Sequence, residues 1–569
     1  MCATFWRATP PAVDVRATIT TNIASHLAAM AELQPWRSAV VYPQSRDAHG
    51  RVSYTHYTYR QLEAASNQLA RGFQQSGIRR GMRTALMVPP SLDFFALAFA
   101  LFKLGAIPVL IDPGIGTRNL GKSLAEAAPE AFIGIPKAHA ARMILGWAKD
   151  SIKIKIAAGQ RAFPGCLSLR QVRTLGENPT GFEPARPEPG ETAAILFTSG
   201  STGPPKGVVY THEIFTTQVE RIRQLYGIEP GEIDLPTFPL FALFGPALGM
   251  TAILPDMDPT RPAQVDPAKI LEAIENFGVT NLFGSPALIN RVGRHGLPAG
   301  TVLSSVRRVI SAGAPVSAKV LERFTALLPA GAQVFTPYGA TECLPVASIG
   351  SEEILRETRH QTSQGRGVCV GQPVPGLAAR IIRISDTPIP AWDAALELAP
   401  GSIGEIVVQG PQVTREYFRQ PAATALAKIP DPAGGGFYHR MGDLGYRDPQ
   451  GRLWFCGRKS QRVTTGAGDF FTIPCEGVFN AHPAVYRTAL VGIPQKGETA
   501  PVLCVELEPG GGQPDPAQLR AELLALGASQ PHTRSIQTIL FHPGFPVDIR
   551  HNAKIFREKL AVWARGRRP

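Results

Sequence analysis

The sequence predicts an α/β protein: a large N-terminal domain of layered, mainly parallel sheets with helices, followed by a small α+β domain. Three observations carry this. The 569 residues exceed the roughly 250–300 that a single hydrophobic core organises. Short apolar runs alternate with helix-length segments, as parallel strands joined by crossover helices do. The texture then changes from Gly401, after which shorter strand-like runs at 404–408 and 453–455 are bounded by turns. A polar, basic stretch at 457–462 separates two apolar regions, so the chain is expected to divide into 1–456, a hinge at 457–462 and a small domain at 463–569.

The elements follow in order. Thr58 with Gln61 has capping-box spacing, Leu62, Leu69 and Phe73 fall near one helical face, and Gly77 suits the stop. Residues 84–88 read as a strand ending at Pro89-Pro90, 91–104 as a helix, and 107–111 as a buried strand. Gly105 and Pro108 interrupt this most apolar region, which is too short and broken to span a bilayer. Further strands are expected at 193–197, 306–310 and 333–335.

Composition excludes several classes. Hydrophobic content of 44% and charged content of 18% describe a globular chain. The 56 glycines and 52 prolines are dispersed, so there is no low-complexity tract. The net charge of +13 is compatible with nucleic acid or an anionic membrane as partner. The basic residues are scattered, however, and only Arg565-Gly566-Arg567-Arg568 forms a run, so a basic surface without nucleic acid is the expected reading. Seven cysteines lacking any C-x-x-C pair or histidine cluster argue against disulfides or zinc and for reduced thiols in the cytoplasm. The first residues lack an apolar core of signal-peptide length.

The strongest chemical signal is Ile195-Leu196-Phe197-Thr198-Ser199-Gly200-Ser201-Thr202-Gly203-Pro204-Pro205-Lys206-Gly207. An apolar strand leads into a loop of hydroxyls and glycines ending on a lysine. Glycines let backbone N–H groups approach an anion, hydroxyls donate hydrogen bonds and the lysine adds charge, so the loop is a phosphate cradle. Its spacing is not that of a Walker A loop.

This loop resembles the phosphate loop of the adenylate-forming superfamily of acyl-CoA synthetases, peptide-synthetase adenylation domains and beetle luciferases. Companion motifs follow in the family's order across almost the whole chain. Leu104-Gly105-Ala106-Ile107-Pro108-Val109 and Gly404-Glu405-Ile406 with Gly410 resemble structural motifs. Ser311-Ala312-Gly313-Ala314-Pro315 resembles the loop lining adenine. Tyr338-Gly339-Ala340-Thr341-Glu342 resembles the motif whose tyrosine packs on adenine and whose glutamate holds magnesium. Tyr438 with Gly442-Asp443 resembles the ribose motif, Gly457-Arg458 opens the hinge motif, and Asn552-Ala553-Lys554 resembles the C-terminal lysine motif. The resemblance implies ATP and Mg²⁺ as cofactors. It also implies a catalytic set of Lys206, Glu342 and Lys554 and nucleotide contacts from Thr198–Gly203, Lys206, Gly313–Pro315, Tyr338, Gly339, Thr341, Asp443 and Arg458.

Those roles suit the chemistry. A carboxylate such as Asp443 can accept both ribose hydroxyls, and Arg458 is a fixed multi-donor cation. Glu342 is a hard oxygen ligand for Mg²⁺, and Lys554 can neutralise charge building at the α-phosphate. Two departures matter. Ser460 stands where the hinge usually has an acidic residue or lysine. Thr464-Thr465-Gly466-Ala467-Gly468-Asp469-Phe470-Phe471 lacks the usual basic residues of coenzyme A users, although Glu476 matches that motif's later glutamate. These departures put thioester formation in doubt and leave the adenylation set intact.

Four stretches resemble one branch, the olefin-pathway β-lactone synthetases. They are 111–116, Phe238-Pro239-Leu240-Phe241-Ala242-Leu243-Phe244-Gly245, 443–446 and 545–556. This implies a long-chain β-hydroxy acid, adenylated and then closed to a four-membered lactone with loss of AMP. Phe238, Phe241 and Phe244 are the expected acyl-pocket residues. Peripheral membrane contact and the pathway's reductase and hydrolase or decarboxylase are the further partners this implies. The alternatives left open are a long-chain acyl-CoA or acyl-AMP ligase and a non-catalytic nucleotide-binding homologue.

Overall fold

The computed structural model describes residues 20–159, 163–178, 182–197, 205–495, 497–510, 514–548 and 554–567. The predicted cradle residues Thr198 to Gly203, together with Asn552 and Ala553, lie outside the described residues.

Two large sheets form the body. A seven-stranded sheet runs Leu167–Ser168, Ile154–Ala157, Ala131–Gly134, Arg83–Met87, Ile107–Ile111, Thr192–Phe197 and Gly207–Thr211. Only its last pair is antiparallel. Its local chemistry follows the sequence closely. Thr58 and Gln61 form the reciprocal capping box of helix Tyr59–Gln75. Ser91 accepts from the Phe94 N–H to open helix Leu92–Leu104, and Gly105 closes it at φ 71°, where a side chain would be strained. Every residue from Phe94 to Leu104 is buried. Lys103 survives there because Glu63 and Asn67 meet its ammonium, each at 2.7 Å.

The second sheet has fourteen strands. Strands Ser38–Arg46, Thr251–Ile253, Ile233–Pro236, Asn281–Gly284, Arg308–Ser311 and Gln333–Ala340 run parallel. From Cys343–Gly350 onward the sheet continues antiparallel through Val368–Pro373, Leu453–Arg458, Gly436–Arg447, Gly404–Gln409 and Ala378–Ile382. The change of texture expected at Gly401 therefore begins earlier, at the turn holding Thr341 and Glu342. Helix Leu92–Leu104 of the first sheet's layer and strands of the second share one apolar core.

The C-terminal segment carries hairpin Val463–Thr465/Gly468–Phe470 and a three-stranded sheet of Val485–Gln495, Glu498–Leu507 and Thr538–Phe541. Its two apolar clusters draw on no residue before Val463. The basic stretch ahead of it is not a solvated linker. Lys459 donates to the Ser385 carbonyl at 2.6 Å and pairs with Glu405 at 3.2 Å, and Arg462 pairs with Asp386 at 2.7 Å. The six cysteines among the described residues are free thiols. No described helix is long and apolar enough to cross a membrane.

Candidate active site

A cavity of about 750 Å³ opens where the two large sheets meet. Helix His212–Tyr226 forms one wall, presenting Phe215, Val219 and Ile222 at helical spacing. Strand residues Phe283 and Ile310 face them, and Phe238, Phe241 and Phe244 line the same space. Phe241 stacks on Phe283 with centroids 4.5 Å apart. This apolar part leads to a polar end lined by Lys206, Gly313, Tyr338, Gly339, Thr341, Glu342, Arg458 and Lys554. Ala314 and Pro315 follow Gly313 in the same turn without lining the cavity. Gly339 is required by close approach, since a Cβ there would sit 2.8 Å from the Cys343 carbonyl oxygen.

Asp443 lies behind this wall, 3% exposed. Its Oδ2 accepts from the Tyr338 hydroxyl at 2.7 Å. Its Oδ1 is 3.1 Å from Arg458 Nε, an ion pair, yet out of hydrogen-bond alignment, so Oδ1 is a buried acceptor without a donor among the described residues. Burial pushes the Asp443 carboxyl up, and Arg458 partly counters it. A ligand donating hydroxyls would satisfy this oxygen.

Glu342 is oriented by residues the sequence reading missed. Tyr417 donates to its Oε1 at 2.7 Å, while Oε2 makes no hydrogen bond among the described residues. The Lys206 ammonium lies over the Tyr417 ring, 4.7 Å from its centroid. The antiparallel bridge from Val208 to Tyr417 brings these distant segments together. Lys428 is buried beside Glu342, where burial pulls its ammonium down to about 7. Tyr210 donates to the Thr341 carbonyl at 2.5 Å. A lone tyrosine or lysine carries no sequence signal for such a role.

Two residues quoted for the resemblance fall elsewhere. Tyr438 stacks on Trp392 with centroids 4.0 Å apart and accepts from Arg380 at 3.2 Å, away from the cavity. A break in register around Gly442, whose φ is 69°, lies between Tyr438 and Asp443 on strand Gly436–Arg447. Glu476 is buried within the C-terminal segment, paired with Arg557 and accepting from the Leu490 N–H at 2.7 Å. Ser460, by contrast, lines the cavity.

Lys554 reaches this cavity from the C-terminal segment. Its backbone N–H donates to Asp548 Oδ1 at 3.1 Å, and Val547 bridges Ile555.

The fold is that of adenylate-forming enzymes. The amide bond synthetase McbA from Marinactinospora thermotolerans superposes with a TM-score of 0.74 at 23% identity, covering 95% of this chain and all of that one (100%). The chain belongs to the AMP-binding enzyme family, whose sequence profile matches residues 27–418. It is 50% identical to an olefin β-lactone synthetase of Xanthomonas campestris pv. campestris, over 96% of this chain and 98% of the relative. It is 52% identical to an olefin β-lactone synthetase of Stenotrophomonas maltophilia, over 95% and 98% respectively. The chain is accordingly an AMP-forming synthetase that activates an acid as its adenylate.

Proposed function

We propose that the enzyme converts a long-chain β-hydroxy acid and ATP into a β-lactone, AMP and pyrophosphate. A substrate carboxylate oxygen attacks the α-phosphorus, and the bond to the bridging oxygen breaks to release pyrophosphate. The β-hydroxyl oxygen then attacks the acyl carbon, the acyl–oxygen bond to AMP breaks, and the hydroxyl proton passes to solvent. The attack is intramolecular, so proximity supplies much of the rate.

The observation that carries this reading is one continuous cavity. It joins a wall for alkyl chains to Lys206, Glu342, Arg458 and Lys554, in a chain about half identical to olefin β-lactone synthetases. In the reading, Asp443 and Arg458 hold the ribose, Tyr338 and Gly313 line the adenine, and Lys206 with the 198–203 loop cradles phosphates. Lys554 neutralises charge at the α-phosphate. Glu342 Oε2 suits Mg²⁺ arriving with the nucleotide, because such ions take one or two carboxylates beside phosphates. When bound, the ion supplies charge neutralisation to the leaving pyrophosphate. Residues 1–456 form the large domain, 457–462 the hinge, and 463–569 a mobile lid. We place the enzyme in the cytoplasm, drawing its acid from a reductase and passing its lactone to a decarboxylating hydrolase, with peripheral membrane contact as a route to the acid.

Product analysis tests this. A synthetic 3-hydroxy acid with ATP and Mg²⁺ is expected to give lactone with or without coenzyme A. The matching acid lacking the hydroxyl is expected to stall as bound adenylate. Coenzyme A thioesters from both acids at similar rates, with no lactone, would replace this reading by a ligase.

A further inference from the structure

The apolar wall of the cavity carries an amide whose nitrogen makes no close hydrogen bond among the described residues. Gln218 shares one stripe of helix His212–Tyr226 with Phe215, Val219 and Ile222, and all four line the cavity. It is 1% exposed, and its Nε2 has no acceptor among the described residues. The amide interacts with the Tyr210 oxygen from outside close hydrogen-bond geometry, and the Tyr210 proton is committed to the Thr341 carbonyl. Thr341 in turn precedes Glu342 and lines the polar end. Gln218 therefore stands where the alkyl wall meets the reacting groups.

Burying an amide without a close partner is unfavourable, whereas an apolar residue of similar shape at such a site is near neutral or stabilising. The other amide on this cavity, Asn281, differs, because it donates to Asp234 at 2.5 Å and so belongs to a pair within the sheet. Gln218 makes no such close pair among the described residues, Tyr210 being its polar neighbour. It is also far from suiting a charged group, since its neighbours on the stripe are apolar. An amide offers one acceptor and a donor side by side, the complement of a neutral hydroxyl.

We propose that Gln218 is a hydroxyl-binding residue that grips the substrate's 3-hydroxyl and aims its oxygen at the acyl carbon. Oε1 accepts the hydroxyl proton and Nε2 donates to the oxygen of the hydroxyl or of the adjacent acyl group. This rests on the β-hydroxy acid reading above. Closing a four-membered ring tolerates little misalignment, so a positioning contact at this carbon governs both acceptance of the acid and ring closure.

The test compares a 3-hydroxy acid with its 3-deoxy counterpart in single-turnover consumption of radiolabelled ATP at subsaturating acid, in the wild type and in Gln218→Leu. This reports kcat/KM for adenylation whether or not lactone follows. The wild type is expected to favour the hydroxy acid by about tenfold or more, because a site built for a hydroxyl rejects the analogue lacking it. Gln218→Leu is expected to bring that ratio to within about twofold of unity while leaving the deoxy acid's rate within about threefold of wild type. Its melting temperature is expected to hold or rise, which separates a ligand contact from a structural one. An unchanged ratio, or an equal loss for both acids with a lower melting temperature, overturns the assignment. A wild type that prefers the hydroxy acid yet makes no lactone removes ring closure from the proposed function and leaves the hydroxyl site standing.

Discussion

Arg557 clasps Glu476 with both arms of its guanidinium. Nη2 donates to Oε2 at 2.9 Å and Nη1 bonds Oε1. Both side chains are nearly buried, and burial that would push the Glu476 carboxyl up is opposed first by Arg557. Arg557 follows shortly after Lys554, so the pair ties the chain just beyond that lysine to the core of the C-terminal segment.

Arg557→Ala is therefore expected to destabilise the C-terminal segment by about 3–5 kcal/mol, the cost of stranding a buried charge. Replacing both partners, as in Glu476→Gln with Arg557→Met, is expected to cost less than Arg557→Ala alone. Urea unfolding of the three proteins checks the order, and equal midpoints for the single variant and wild type refute it.

Lys554→Ala is expected to slow adenylation by about 10²-fold or more, the scale seen when a charge-stabilising donor is lost. ATP affinity should change far less, since Tyr338, Asp443 and Arg458 lie outside the C-terminal segment. Single-turnover rates alongside ATP titration distinguish the two effects. A variant that adenylates normally removes Lys554 from the chemistry.

Tyr417→Phe is expected to raise the Mg²⁺ concentration needed for half-maximal rate by about tenfold or more, as loss of a group orienting a metal ligand does. The hydroxyl holds Glu342 Oε1 at 2.7 Å and so aims the other oxygen. A Mg²⁺ dependence identical to wild type would show that Glu342 needs no such support.

Asp234 predicts a pH dependence of stability. Burial pushes its carboxyl up to about 7, with Asn281 partly opposing. Between about pH 4 and 7 the folded chain holds this proton and the unfolded chain does not. Stability contributed at this site is thus present at low pH and lost as pH rises toward 7, by at most about 1.4 kcal/mol per unit. Asp234→Asn is expected to flatten that decline. Urea midpoints at pH 5 and 7 measure it, and parallel slopes for both proteins count against the assignment.

Local signals were legible wherever a residue acts on its own neighbours in sequence. The Thr58–Gln61 box governs one helix end as expected, while Ser91, read as the first residue of its helix, caps it from just outside, and Gly105, read as an interruption, closes it. In the antiparallel half of the large sheet the strands at 404–408 and 453–455 were legible as short apolar runs, whereas their pairing was not, because register is set by contacts between segments distant in sequence. Tyr438 was drawn into the ribose motif by its nearness to Asp443 in sequence, although it is buried against Trp392, away from the cavity.

By itself, the sequence determined the class of chemistry. Lys206, Glu342, Asp443, Arg458 and Lys554 are the residue types that phosphate, ribose and a developing charge require, in an order that one family uses. Only the tertiary structure decided which other side chains serve them. Tyr417 reaches Glu342 through a bridge between remote segments, Arg557 anchors the chain beyond Lys554 through a buried carboxylate, and Gln218 lines the cavity with a nitrogen that makes no close hydrogen bond among the described residues. The reason is physical. A motif works through atoms close in sequence, whereas the worth of a lone tyrosine, arginine or amide depends on burial and on partners that only folding brings within hydrogen-bond reach.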